Sequence, residues 1–303
     1  MDSGPSSDPQ LLARLHDLEL RSRAVADSLM PGRHRHPRAG WSVEFSQHRE
    51  YSPGDDLRYV DWKATARSDR LLLRQYQDET AMVAWVVVDA TPSMSFRGAR
   101  SNQSKLEIAS TIAAAIAWIV IRQRDAVGLC LVTSSGVETL AASDEPAHWH
   151  AITRALASVE NRAAQASNHE EGWHRGLQQV ASQVRAGSVI FALSDWVDDP
   201  SYLRGWLALL RDQRRADVRV VQCLDPDELS LDEVDATHFA WLEGTDREVP
   251  IEPRQLATAY RDEVERSLRE LSDLFHGFQI PFVSVLSGDD LVPSVRSIIL
   301  RSE

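Results

Sequence analysis

The sequence predicts an α/β protein: a doubly wound, mostly parallel sheet preceded by a small N-terminal helix and β module. Three observations carry this. From Met82 onward, apolar runs of strand length alternate with stretches of helical periodicity. Several of those runs are apolar without interruption, as strands covered on both faces require. Before residue 80 the pattern differs, with one helical stretch and then short alternating segments around turn residues. The expected division is therefore 1–80 for the helix and β module, and 81–303 for the α/β domain.

Taken in order, Pro9 to Met30 spaces Leu11, Leu12, Leu15, Leu18 and Leu20 near helical intervals, and Pro31-Gly32 ends that pattern. The segment Arg33-His34-Arg35-His36-Pro37-Arg38 reads as a solvated basic loop. Trp41 to Gln77 holds short alternating runs, Ser42 to Phe45 and Leu71 to Tyr76, around Ser52-Pro53-Gly54-Asp55-Asp56. The later strands are expected at Met82–Val88, Val127–Thr133, Val137–Leu140, Ser188–Leu193, Val218–Leu224 and Pro281–Leu286, the third of them an antiparallel hairpin partner. Helices are expected at Lys105–Gln123, Pro146–Val159, Gly172–Arg185, Tyr202–Arg214, Pro253–Phe278 and Leu291–Leu300.

Composition narrows the function classes. A net charge of -12 opposes binding to phosphate backbones, so nucleic acid is not an expected partner. The polar start MDSGPSSDPQ lacks the layout of a signal peptide. The longest apolar stretch, Ile108 to Ile121, falls short of the roughly 20 residues that cross a bilayer, so no membrane span is expected. Cys130 and Cys223 lie far apart inside apolar runs and read as core residues in a reducing compartment, which points to the cytoplasm.

In doubly wound sheets, ligands bind beyond the carboxyl ends of the strands. There the first strand runs into Asp89-Ala90-Thr91-Pro92-Ser93, a carboxylate followed by hydroxyls at alternate positions, and the fourth runs into Ser194-Asp195. Asp89, Thr91, Ser93 and Asp195 are thus candidate ligands for a divalent cation, Mg²⁺ by preference, since hard cations take oxygen ligands and keep several waters. The alternative is that both aspartates are turn or helix-cap residues without metal.

The DxTxS and SD placements resemble the metal-ion-dependent adhesion site of von Willebrand A domains. Upstream, Arg49-Glu50-Tyr51-Ser52-Pro53-Gly54-Asp55-Asp56-Leu57-Arg58-Tyr59-Val60-Asp61-Trp62-Lys63-Ala64-Thr65-Ala66-Arg67 is similar to the RxYxPGDDxRxIDWxxxAR signature of the domain-of-unknown-function 58 (DUF58) family. The likeness runs from about Gly40 to Ser287 and takes in Lys105-Leu106-Glu107, Asp125-Ala126-Val127-Gly128-Leu129 and Asp225-Pro226-Asp227-Glu228-Leu229. It implies a von Willebrand A-like, Rossmann-type fold and a non-catalytic adaptor or chaperone-like factor. The implied partners are a MoxR-type AAA+ ATPase and a protein client, with the four candidate ligands at the metal-site positions. One departure stands out: where the adhesion site takes a loop Thr, the stretch Ala163 to Gly172 has none, and its nearest oxygen-bearing candidates are Ser167 and Asn168, which suit a cap for the helix that follows.

Within the signature, Pro53 and Gly54 suit a tight turn, and Asp55, Asp56, Arg58, Asp61 and Arg67 alternate in sign closely enough to pair. Trp62 is expected to fasten the segment to the α/β domain. Arg49, Tyr51, Gly54, Asp55, Asp56, Arg58, Asp61, Trp62 and Arg67 therefore form either an interdomain clasp or a docking surface for the ATPase.

Enzyme signatures are sparse. GxSxG, the P-loop and GxGxxG are all missing, and the histidines of His169 to His174 stand five apart rather than the four that share a helical face. The rival with chemical content is an aspartyl-nucleophile phosphatase using Asp89 and Mg²⁺. Against it, Thr91 stands where a second Asp would act as general acid, and Lys63 and Lys105, the only lysines, are not expected near the later strands. A purely structural subunit without metal is the remaining alternative.

Overall fold

The computed structural model describes residues 9–30, 45–52, 60–68, 70–76, 82–163, 172–196, 200–213, 215–229, 238–240, 248–250 and 253–300. In chain order the elements are α1 (Pro9–Leu29), β1 (Phe45–Glu50), α2 (Trp62–Thr65), β2 (Leu72–Tyr76), β3 (Val83–Asp89), α3 (Lys105–Arg122), β4 (Ala126–Thr133), β5 (Gly136–Ser143), α4 (His148–Ala163) and α5 (Gly172–Gln183). They continue with β6 (Val189–Ser194), α6 (Pro200–Ala208), β7 (Asp217–Leu224), α7 (Pro226–Leu229), β8 (His238–Ala240), β9 (Glu248–Pro250), α8 (Pro253–Gly277), β10 (Phe282–Leu286) and α9 (Leu291–Leu300). The chain separates into a large unit that includes residues 1–31 and 82–301, and a small unit at 32–81.

The large unit is built on a six-stranded sheet of order β10-β7-β6-β3-β4-β5, parallel except for β5, which returns antiparallel to β4 through the turn at Ser134-Ser135. Strand side chains alternate between two cores, which is why these strands read as continuous apolar runs. Ala84, Val86 and Val88 of β3 join Leu129 and Leu131 of β4 in a core with α3, α4 and α9. Trp85 and Val87 face the other way, into a core with α5, α6 and α8. Gly128 is required here, because a Cβ would stand 2.5 Å from the Trp85 ring.

Helix α3 carries few polar residues and is buried along most of its length. Its start is set by a capping box: Ser104 Oγ accepts from Glu107 N at 3.2 Å, and Ser104 N donates to Glu107 Oε2 at 2.7 Å. Its end passes into Arg124, whose φ of 65° lies in the left-handed region.

The structure differs from expectation in placing α1. The helix does not group with the β strands at 45–76. Leu18, Ser22 and Ala26 are fully buried in the large unit, the Arg23 guanidinium lies 4.9 and 4.6 Å from the rings of Trp118 on α3 and Trp149 on α4, and Glu19 Oε1 meets His150 Nδ1 at 2.8 Å. An amphipathic helix must bury its apolar stripe, and α3 and α4 offer it the larger apolar surface. Two further differences are local. The expected helix at 202–214 ends as α6 and continues as a π-turn over Leu209–Gln213, and the β8–β9 hairpin was not foreseen.

In the small unit, β1 and β2 pair antiparallel, Glu50 opposite Leu72, with a bulge between Phe45 and Gln47. Asp61 caps the short α2, its Oδ1 accepting from Ala64 N at 3.1 Å, and Thr65 Oγ1 accepts from Leu72 N at 3.1 Å. No described helix is long and apolar enough to cross a membrane.

Candidate functional site

The site lies at the carboxyl edge of the large sheet. β3 and β6 are parallel neighbours with Val88 opposite Leu193, so the turns that follow them emerge side by side. Asp89 ends β3 at 2% exposure. Its Oδ1 accepts from Thr91 N at 2.9 Å and from Thr91 Oγ1 at 2.6 Å, while Oδ2 accepts from Ser194 Oγ at 2.6 Å. Ser93 Oγ is 3.3 Å from Thr91 Oγ1. One carboxylate and two hydroxyls thus gather as the alternate spacing predicts. Burial, reinforced by the nearby charge of Asp195, pushes the Asp89 carboxyl up to about 8, against the pull of the hydrogen bonds from Ser194 and Thr91.

Asp195, 4% exposed, is balanced differently. Lys105, the first residue of α3, is 1% exposed and places Nζ 2.8 Å from Asp195 Oδ2 and 2.5 Å from Glu228 Oε1. Burial alone would depress the ammonium, but the two carboxylates more than offset it and hold its pKa above the ordinary lysine value. This corrects the expectation that no lysine stands near the later strands: Lys105 lies beside the ends of both β6 and β7. Gln222 Nε2 donates to the Asp195 carbonyl at 3.1 Å, and Trp196 follows with φ 57°, a strained backbone held by its ring Nε1 donating to Val221 O at 3.0 Å.

A second layer ties this edge together. Fully buried Asp225 accepts from Gly98 N at 3.1 Å and from Asp227 N at 2.9 Å, and Arg100 forms an ion pair with Asp227. Tyr260 Oη donates to the Glu228 carbonyl at 2.8 Å. Sequence reasoning did not assign Lys105, Ser194, Asp225 or Glu228 to this edge. Ser194 was signalled by its place before Asp195, and Lys105 by being one of two lysines in the chain, set where a helix start disfavours a cation.

Among the described residues no group of three His, Cys, Asp or Glu could hold a metal. A cation here would rest on Asp89, Thr91 and Ser93, a hard oxygen set that suits Mg²⁺ with retained waters, and among the described residues the hydrogen bonds to the buried Asp89 carboxyl come from neutral groups of Thr91 and Ser194. That trio fits the ion. Asp195, expected as a fourth ligand, instead has one oxygen committed to Lys105.

The signature residues belong to the small unit. Gly54, Asp55, Asp56 and Arg58 lie outside the described residues, as do Ser167 and Asn168. Arg49 pairs through its backbone with Leu73, Tyr51 N donates to Leu71 O, Asp61 caps α2 and Arg67 is exposed. Trp62, read as a fastening residue, is 66% exposed. Its place at the start of α2 turns the ring outward while Asp61 is buried.

The strand order, the antiparallel edge strand and a DxTxS turn after the first strand of the large sheet define a doubly wound, mostly parallel α/β class with its candidate site at the carboxyl edge of the sheet. The chain belongs to the DUF58 family, "Protein of unknown function DUF58", whose model matches residues 47–270. It is 27% identical over 278 residues to the uncharacterized protein Rv1480 of Mycobacterium tuberculosis (strain H37Rv) and to the uncharacterized protein Mb1516 of Mycobacterium bovis, covering 88% of this chain and 84% of each relative. Among solved structures it is similar to an aerotolerance-related membrane protein from Bacteroides fragilis (TM-score 0.42, 13% identity, 72% of this chain and 96% of that one). It is also similar to the SpRpn10 VWA domain (TM-score 0.38, 11% identity, 71% and 94%). At these scores the reading of the site rests on its own geometry.

Proposed function

We propose that this protein is a non-catalytic, cytoplasmic interaction adaptor. Its sheet edge binds a divalent cation, by preference Mg²⁺, through Asp89, Thr91 and Ser93 and so receives an acidic group from a protein partner. The observation that carries this is the Asp89 carboxyl, buried and hydrogen-bonded among the described residues to neutral donors of Thr91 and Ser194, with the Ser93 hydroxyl 3.3 Å from that of Thr91. A bound cation supplies positive charge that both satisfies Asp89 and attracts a partner's carboxylate, since the ion dominates the local field. Thr91 and Ser93 orient oxygens toward it, and Ser194 fixes the carboxylate plane. The family resemblance supports a MoxR-type AAA+ ATPase and its protein client as partners, with the Arg49–Arg67 segment as a second contact surface. Phosphatase chemistry is less well supported: Thr91 still stands in the general-acid position, and Lys105 is buried against two carboxylates rather than free to meet a phosphoryl group.

The test is affinity capture from native lysate with wild type and Asp89→Asn, each with Mg²⁺ or with chelator. Capture of an AAA+ ATPase by wild type with metal, and its loss in the other three conditions, is the expected result. Equal capture in all four moves the interface elsewhere and makes Asp89 a turn residue.

A further inference from the structure

Lys105 is placed where two physical effects oppose it. A cation at the first position of a helix meets the positive end of the helix dipole, and burial to 1% exposure strips its hydration. The chain meets both costs by bringing two distant carboxylates to Nζ: Asp195 past the end of β6 and Glu228 in α7. The stem is fixed as well. The Ser104–Glu107 capping box sets the first turn, Lys105 N donates to Phe96 O at 3.2 Å, and the Phe96 ring lies 5.9 Å from Nζ. Nothing in the packing of α3 needs a cation there; the following residues, Leu106, Ile108 and Ala109, are apolar core.

The site therefore already contains one cation, covalently tethered. With all three carboxyls ionised, as a bound cation would favour, Asp89, Asp195 and Glu228 carry three negative charges against one positive on Lys105, a formal sum of -2 (-3 + 1), close to what one divalent ion neutralises. We propose that Lys105 is a built-in competitor that sets the cation affinity of this site. By occupying Asp195 it confines the ion to Asp89, Thr91 and Ser93, weakens its binding, and leaves the remaining coordination positions open to water and a partner's acidic group. This rests on the cation-binding reading given above and adds its control: the same residues without the lysine would form a tighter, more closed site that a partner's carboxylate enters less readily.

The test titrates Mn²⁺ into the full chain by calorimetry, with the free ion followed by electron paramagnetic resonance. Lys105→Met frees Asp195 and should lower the Mn²⁺ dissociation constant on the order of tenfold or more, because it removes a like charge and adds a ligand. The double variant Lys105→Met with Asp195→Asn removes the ion pair as a unit and keeps the formal sum at -2. It should return to within about threefold of wild type, and it keeps the question answerable if the single variant folds poorly. Binding by Lys105→Met alone, with none by wild type, would mean that the lysine excludes the ion rather than tuning it, and would overturn both the tuning role and the cation reading of the wild-type site. Wild-type binding that Asp89→Asn abolishes but Lys105→Met leaves unchanged or weakens overturns the role of Lys105 and leaves the cation reading standing. A large loss in the double variant would show that Asp195 ligates in wild type and would equally overturn it. No binding by any variant removes both readings.

Discussion

Asp89 and Asp195 follow neighbouring strands, lie at one sheet edge and are about equally buried, yet their charges are met by different means. The turn after β3 surrounds its carboxylate with an amide and two hydroxyls, all neutral. The turn after β6 meets its carboxylate with an ammonium that has crossed from the start of α3. The difference teaches that burial and position do not by themselves make a metal ligand. On the cation-binding reading proposed above, the carboxyl hydrogen-bonded to neutral groups is the one left for an ion, whereas the one bonded to lysine already has its counter-charge.

The most severe way to break this comparison is Lys105→Met. With no metal added it leaves the buried Asp195 and the half-buried Glu228 without their cation and should cost about 3 kcal/mol in chemical denaturation. Wild-type stability in that variant would mean that the ion pair contributes nothing in solution.

Glu160 on α4 sharpens the comparison as a partly buried carboxylate with neither arrangement. Its Oε1 is buried without a hydrogen-bond partner among the described residues. Burial pushes its carboxyl from the ordinary 4.5 up to about 7, Glu107 adding to this while Ser110, Arg21 and Arg14 pull only partly against it. Because the folded-state pKa is the higher one, folding favours the protonated form. The stabilising contribution is fully present below about pH 4.5 and is lost as the pH rises to about 7. Glu160→Gln should flatten that decline and be more stable than wild type by about 2 kcal/mol at pH 8, the full linkage value being reduced for partial exposure. Parallel stability–pH curves for the two proteins would contradict this.

Gly98→Ala tests the strap that holds Glu228 in reach of Lys105. A Cβ there would overlap the side chains of Asp225 and Asp227, so a loss of about 1–3 kcal/mol is expected in thermal or chemical unfolding. The smallest effect belongs to Asp89→Asn. The amide can keep the Thr91 and Ser194 contacts without a buried charge, and stability in chelator should stay within about 1 kcal/mol of wild type. A loss as large as that of Lys105→Met would erase the distinction between the two turns.

Much of this architecture was legible in the chain alone. Continuous apolar runs such as Val83 to Val88 and Val189 to Leu193 declare strands covered on both sides, and the alternation with helical periodicity declares a doubly wound sheet. The Asp89, Thr91 and Ser93 cluster was legible too, because residues two apart in a turn meet through local geometry. What local patterns could not convey was the placing of α1, whose apolar stripe would suit any apolar surface until Trp118 and Trp149 are brought together, or the outward turn of Trp62. Nor could they convey the partner of Asp195. Lys105 stands 90 residues from Asp195 and 123 from Glu228, and only the crossovers that bring α3, β6 and β7 to one sheet edge make the three neighbours. The sequence by itself determined which elements form and which oxygens gather after β3. The tertiary structure decided which carboxylate is already taken, because an ion pair between distant residues depends on topology rather than on spacing.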